Sequence, residues 1–161
     1  MISHDDLIKM LDYNMDTGDF LWKVPVSKNK SGSFAGTLNN HGYWQIQIKK
    51  RSYMAHRLAW FYVYGSWPGL YIDHINGNKT DNRINNLRAA TPSNNQHNRG
   101  KSKRNITGLK GVSYDVKRRK WVSGISYNGI KMNLGRYDCP AAASFAYQIA
   151  ADIYHGDYAR L

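Results

Sequence analysis

Asp73 and His74 stand side by side at the end of a short apolar run, and a loop of amides follows. Asparagine occupies positions 76, 78, 82, 85 and 86 within YIDHINGNKTDNRINNL, and a further asparagine, Asn95, lies nine residues on. These types suit one chemistry. A histidine at the end of a strand can take a proton from water as a general base. The carboxylate of Asp73 and the amide oxygen of Asn95 are oxygen donors of the kind a hard divalent cation prefers, Mg²⁺ or else Mn²⁺. Asn86 can accept the other imidazole N–H through its amide oxygen and so fix the tautomer. An activated water, a metal ion at the scissile phosphate and a fixed geometry are the parts that phosphodiester hydrolysis needs.

Two strands and a helix would have to hold these groups. Tyr71-Ile72 reads as a strand running into Asp73-His74, and Leu87 to Ala90 as its return. Thr91-Pro92 opens a helix, with Thr as the cap and Pro where its missing N–H does no harm. The helix carries Asn95, giving a ββα arrangement. The other asparagines, at 76, 78, 82 and 85, read as loop formers. His56, on a helix predicted from His56 to Tyr64 and stopped by Gly65, reads as structural, and His97 as an auxiliary group at the metal or on phosphate.

The stretch 56–98 resembles the HNH endonuclease family, in its phage and intron-encoded branch, through HRLAW at 56–60, IDHINGNKTDNRINNLR at 72–88 and TPSNNQHN at 91–98. The resemblance implies a ββα-metal nuclease. His74 would be the general base, Asn86 the orienting residue, and Asp73 and Asn95 the metal ligands. The cysteine pairs of zinc-stapled members are lacking, and Asn95 stands where many such nucleases carry a second metal-binding histidine.

Upstream, Ser3 with Asp6 marks the start of a short helix to about Leu11. Phe20-Leu21-Trp22 is a short strand, 27–40 a loop, and Tyr43 to Ile48 a strand that turns back into Tyr53-Met54. Residues 1–55 are therefore a β-rich extension of the nuclease core at 56–98. Residues 99–107 form a basic linker. Beyond it the composition favours strands at Lys110 to Tyr114, Lys120 to Tyr127 and Ile130 to Gly135, with Asn128-Gly129 as a hairpin turn. A helix follows from Pro140 to His155 with Ala143, Ala146, Tyr147, Ala150 and Tyr154 on its apolar face. The fold class is α+β: a ββα-metal core with its extension, linked to a three-stranded antiparallel sheet packed on one helix.

Charge points to the partner. The chain carries 23 basic and 11 acidic residues, a net of +12, and contains no glutamate. Residues 96–161 hold 12 of the basic groups and 4 of the acids, so most of the excess lies there. A basic third of this kind is the footprint of a polyanion, here double-stranded DNA. Residues 108–161 resemble the ethylene-response-factor (plant Apetala-type) DNA-binding domain, through GLKGVSYD at 108–115, KWVSGIS at 120–126, LGRYD at 134–138, AYQIAA at 146–151 and HGDYAR at 155–160. That resemblance implies a sheet laid in the major groove. Alternation puts Trp121, Ile125, Met132 and Leu134 towards the helix, and Gly124, Ser126, Lys131 and Asn133 on the open face. The expected DNA contacts are Lys110, Lys117, Arg118, Arg119, Lys120, Ser126, Lys131 and Asn133, with Lys101, Lys103 and Arg104 of the linker tracking a groove.

The reading is a monomeric, metal-dependent, homing-type DNA nickase that leaves 5′-phosphate and 3′-hydroxyl ends, with no small-molecule substrate. Cys139 is the one cysteine, so an internal disulfide and a multi-cysteine zinc site are excluded. The longest apolar run is too short for a membrane span, and the N-terminus lacks a secretion signal, which points to the cytoplasm, that of a bacterial host if phage-encoded. A non-catalytic DNA-binding regulator built on a decayed nuclease core, or an RNA-binding or packaging protein, would fit the charge. Neither accounts for Asp73, His74, Asn86 and Asn95 at their spacing.

Overall fold

The first helix, α1 (His4–Met10), starts where Ser3 caps it: the Ser3 hydroxyl accepts the Asp6 N–H at 3.1 Å. The computed structural model describes residues 1–26, 28–98, 100–101 and 105–159. They fall into two units, Met1–Thr91 and Pro92–Leu161. The division lies ahead of the 98/99 boundary expected from composition.

In the first unit, β1 (Leu11–Tyr13) and β2 (Phe20–Trp22) pair as an antiparallel hairpin. β3 (Thr37–Leu38), β4 (Trp44–Ile48) and β5 (Arg51–Met54) form a second sheet with β4 in the middle. The β4–β5 turn is made by Lys49 and Lys50, both with positive φ, 48° and 66°. Two such residues match the twist of a two-residue hairpin, a geometry the lysines do not advertise. β3 lies inside the stretch expected to be loop. α2 (Ala55–Tyr64) ends at Gly65, whose left-handed φ of 69° suits a residue without Cβ. β6 (Tyr71–His74) and β7 (Leu87–Ala90) form the third sheet. Leu7, Leu11, Phe20, Ile46, Ile48 and Leu58 are fully buried in one core beneath these elements, each contributing about 1.5–3 kcal/mol.

The second unit opens with α3 (Pro92–His97). β8 (Val112–Asp115), β9 (Lys120–Tyr127) and β10 (Ile130–Tyr137) form an antiparallel sheet with β9 central, and α4 (Pro140–His155) covers one face. The sheet and helix are those expected. β10 runs past Gly135 because its register slips between Asn133 and Gly135, which lets pairing resume. The buried face of α4 is Ala143, Tyr147, Ala150, Ala151 and His155. Tyr154, expected on it, is exposed, and Ala151 and His155 take its place. Ile125 packs with Tyr147, Ala150 and Ala151, and Met132 and Leu134 cover that cluster. Trp121 lies outside it, its ring 5.0 Å from that of its cross-strand neighbour Tyr114. Among the described residues no helix is long and apolar enough to cross a membrane.

Candidate active site

β6 delivers Asp73 and His74 into a buried setting, each less than a tenth exposed. Asp73 faces Arg88 across the β6–β7 ladder. Arg88 donates to Asp73 Oδ2 through Nε at 3.0 Å and through Nη2 at 2.9 Å. This contact fixes the carboxylate. Removing the guanidinium from so buried an acid costs about 3–5 kcal/mol.

His74 lies among rings. Its imidazole meets that of His56 edge-on with centroids 5.1 Å apart, and Tyr43 lies against both, 5.3 Å from His56 and 6.0 Å from His74. Lys79 covers the outer face of Tyr43 at 4.7 Å and donates to the carbonyl of His41 at 3.0 Å. Burial lowers the pKa of His74 below the ordinary histidine value, with the bond to Asn82 and the charge of Asp73 working the other way. The imidazole is therefore neutral at physiological pH, as a proton acceptor has to be. Burial, with the neighbouring His74 second, pushes His56 down to about 3. Its Nδ1 is buried without a hydrogen-bond partner. The structural role expected for His56 fits a neutral ring packed against the base.

The loop between β6 and β7 is closed by its own amides. The Asn76 N–H donates to Asn86 Oδ1 at 3.0 Å, and Asn86 Nδ2 donates to the Asp81 carbonyl at 2.8 Å. Asn76 donates its amide to Asp81 Oδ2 at 2.7 Å, and Arg83 clamps the same carboxylate at 2.6–2.8 Å. The Arg83 guanidinium holds the Asp81 carboxyl down at about 2. Asn86 thus ties the two ends of the loop together. The amide oxygen against the His74 ring belongs to Asn82, whose Oδ1 lies 3.1 Å from Nε2. The orienting contact sought at Asn86 is made by a residue read from sequence as a loop former. A signal for it exists, the exclusion of Asn82 from solvent, but that appears only once the chain is folded.

Asn82 is held from behind. The Tyr13 hydroxyl donates to its carbonyl at 2.7 Å in a buried contact between residues 69 apart in sequence. Burial raises the pKa of Tyr13 above the usual tyrosine range, so the hydroxyl keeps its proton. Gly18 (φ +80°) lies flat against the same segment: a Cβ there would stand 2.5 Å from the Arg83 nitrogen.

In the second unit, Asn95 is half-buried on α3. His97, on the same helix, stacks on His155 of α4 with ring centroids 3.9 Å apart and planes at 11°. Lys110 donates to the His97 carbonyl at 3.0 Å, and burial lowers the pKa of His97, assisted by His155 and Lys110. Several cations expected on DNA are engaged within the unit. Lys101 donates to the Gly108 carbonyl at 2.6 Å, Arg118 pairs with Asp115 at 3.1 Å, and Lys120 pairs with Asp138. Lys117, Arg119, Lys131 and Arg136 make no ion pair among the described residues. Ser126, Lys131 and Asn133 are exposed on the strands, with Asn133 Oδ1 accepting the Gly135 N–H at 2.9 Å. Lys103 and Arg104 lie outside the described residues.

Asp73 and His74 lie buried at the end of β6, one strand of the antiparallel β6–β7 pair, within the residues that match a family of endonucleases. The chain belongs to the HNH endonuclease family, whose model matches residues 53–97, and it is a DNA endonuclease. It is similar to "Protein 3.8" of Escherichia phage T7, 34% identical over 106 residues, spanning 65% of this chain and 87% of that one. It is similar as well to the "SPbeta prophage-derived putative HNH homing endonuclease YosQ" of Bacillus subtilis (strain 168), 36% identical over 78 residues and 45% of each chain. Among solved structures it is similar to the HNH homing endonuclease I-HmuI, described under "DNA binding and cleavage", at 22% identity and a TM-score of 0.44, covering 92% of this chain and 85% of that one.

Proposed function

We propose that the protein is a metal-dependent, homing-type nickase that cuts one strand of duplex DNA and leaves 5′-phosphate and 3′-hydroxyl ends. The observation that carries this reading is His74, buried and neutral beside Asp73 and inside the residues that match the endonuclease family.

In this mechanism His74 takes a proton from a water molecule, and the water oxygen attacks phosphorus. The bond from phosphorus to the 3′ oxygen breaks, and that oxygen takes a proton from solvent. Asp73 would hold a divalent ion through its carboxylate, and the family resemblance implies Asn95 as the second ligand. Their donors are carboxylate and amide oxygens, and the described residues include no cluster of three or more His, Cys, Asp or Glu. Such a set suits a hard cation of the Mg²⁺ kind, which keeps much of its water, better than zinc. Bound there, the ion would stabilise charge on the scissile phosphate and the departing oxygen. Arg88 keeps the Asp73 carboxylate oriented, and Asn86 keeps the loop after His74 closed.

The second unit is the grip. Its exposed sheet face carries Lys131, Asn133, Ser126 and Arg136, and its β8–β9 turn carries Lys117 and Arg119. The lysines and arginines contact phosphate, which gives affinity and register more than sequence. The likeness of 108–161 to the ethylene-response-factor type of domain, and the sheet backed by one helix, support placing this face in the major groove. One active centre per chain supports action as a monomer that nicks. The phage and prophage relatives support a place of work in the cytoplasm of a bacterial host.

The test is cleavage of a duplex labelled on each strand in turn, with Mg²⁺, with Mn²⁺ and with EDTA, followed by mapping of the end groups. The reading expects metal-dependent cutting of one strand with 3′-hydroxyl ends. Cutting that persists in EDTA, or 3′-phosphate ends, would overturn the mechanism.

A further inference from the structure

The loop that follows His74 carries asparagines at 76, 78, 82, 85 and 86, and only Asn82 and Asn86 are buried, at 2% and 8% exposure. Asn86 uses both ends of its amide inside the loop. Asn82 instead directs its amide oxygen to the catalytic histidine. An amide oxygen only accepts, so the hydrogen of the 3.1 Å contact belongs to His74 Nε2, and the ring's lone pair is on Nδ1.

We propose that Asn82 is the positioning residue for His74, fixing its tautomer and ring plane, and that the β1–β2 hairpin is the brace that holds Asn82 in place. The inference rests on the reading of His74 as the base. Three separate contacts carry it. Asn82 Oδ1 engages the imidazole. Its backbone carbonyl accepts the Tyr13 hydroxyl at 2.7 Å, and the Tyr13 ring is itself wedged against Phe20 and Tyr62, with centroids 4.7 and 5.6 Å away. The turn at Gly18 closes on the backbone of Asn82 and Arg83 so tightly that no Cβ fits between them. The hairpin thus holds the Asn82 backbone from two sides, so an N-terminal segment far from the cutting chemistry in sequence becomes part of its support.

A residue that only shapes the loop would not set the protonation of an imidazole nitrogen. The test therefore reads the tautomer directly, by long-range ¹H–¹⁵N correlation on histidine-labelled protein. It also reads single-turnover cleavage at saturating enzyme and DNA affinity by gel shift. The variants are Asn82→Ala, Asn82→Asp, Tyr13→Phe and His74→Ala. The wild type should show His74 with its hydrogen on Nε2. Asn82→Ala should lose that single tautomer and cleave about 10- to 100-fold more slowly, the scale of a small misplacement of a reacting group, with affinity within about twofold. Asn82→Asp keeps an oxygen acceptor of the same shape but adds a negative charge that favours the protonated ring, so it should recover most of the rate once the pH is high enough to keep His74 neutral. Tyr13→Phe keeps the ring and frees only the Asn82 carbonyl, so its loss should be smaller than that of Asn82→Ala. A wild-type tautomer and rate in folded Asn82→Ala, with His74→Ala inactive, would overturn the positioning role while leaving His74 as the base. Wild-type cleavage by His74→Ala would overturn the base assignment and, with it, the role of Asn82. An Asn82→Asp protein that folds but stays as slow as Asn82→Ala at every pH would also contradict the proposal.

Discussion

The imidazoles of His56 and His74 meet edge-on, 5.1 Å between centroids, with one helix and one strand each contributing a buried ring. Burial lowers the pKa of both rings. In the folded chain His56 protonates at about 3, against an ordinary value of 6.5. The unfolded chain takes up this proton first, so the stability present above 6.5 falls as pH drops below it and goes on falling towards 3. Replacing the ring by one that cannot titrate should remove this loss. In His56→Phe the difference in unfolding free energy between pH 7 and pH 4 should shrink by about 2–3 kcal/mol, measured by urea unfolding at each pH. An unchanged difference would mean that the ring is not held neutral.

Asn86 braces the loop by accepting from Asn76 and donating to Asp81. Asn86→Ala should therefore strand buried polar groups at about 1–3 kcal/mol and slow cleavage about tenfold or more, as the backbone after His74 loosens. Because Asn86 is not on the DNA-gripping face, affinity in a gel shift should stay within about twofold. A large fall in affinity would place Asn86 in the grip instead.

Lys131 stands exposed on β10, next to Ser126 across the hairpin, and makes no ion pair among the described residues. If it neutralises one phosphate, Lys131→Ala should weaken binding on every duplex alike and flatten the slope of log affinity against log salt by about 0.9. Lys120, already paired with Asp138, should change that slope less. Equal slopes for wild type and Lys131→Ala would remove this face from the interface.

The match to the HNH endonuclease family at 53–97 was legible because Asp73, His74, Asn86 and Asn95 stand there at a spacing with few other uses. The helix ends at Gly65 and Pro140, and the hairpin at Asn128-Gly129, were legible because their backbone demands are local. Asn82 was not. Its backbone is held by Tyr13 and lies against Gly18, more than sixty residues away in sequence, and no local pattern records that. A turn from Lys49 to Ser52 was expected, but its two-residue form, with β5 pairing already from Arg51, was hidden for a related reason. Its positive φ values are imposed by the register of β4 and β5, while lysine has no preference for them. The exchange of Tyr154 for His155 on the buried face of α4 also reflects tertiary contact, since the His155 ring bonds to the Ser126 carbonyl at 3.0 Å and lies flat on His97. The grouping of α3 with the second unit was equally unreadable, because the helix is short and its residues show no apolar stripe.

The most direct test of the account compares wild type and His74→Ala on supercoiled phage DNA with Mg²⁺, following conversion to the nicked circle and measuring DNA affinity in parallel. The account predicts that the variant loses about 10²- to 10⁴-fold in rate, the scale of general-base catalysis, and binds DNA as the wild type does. Nicking by His74→Ala at the wild-type rate would contradict it.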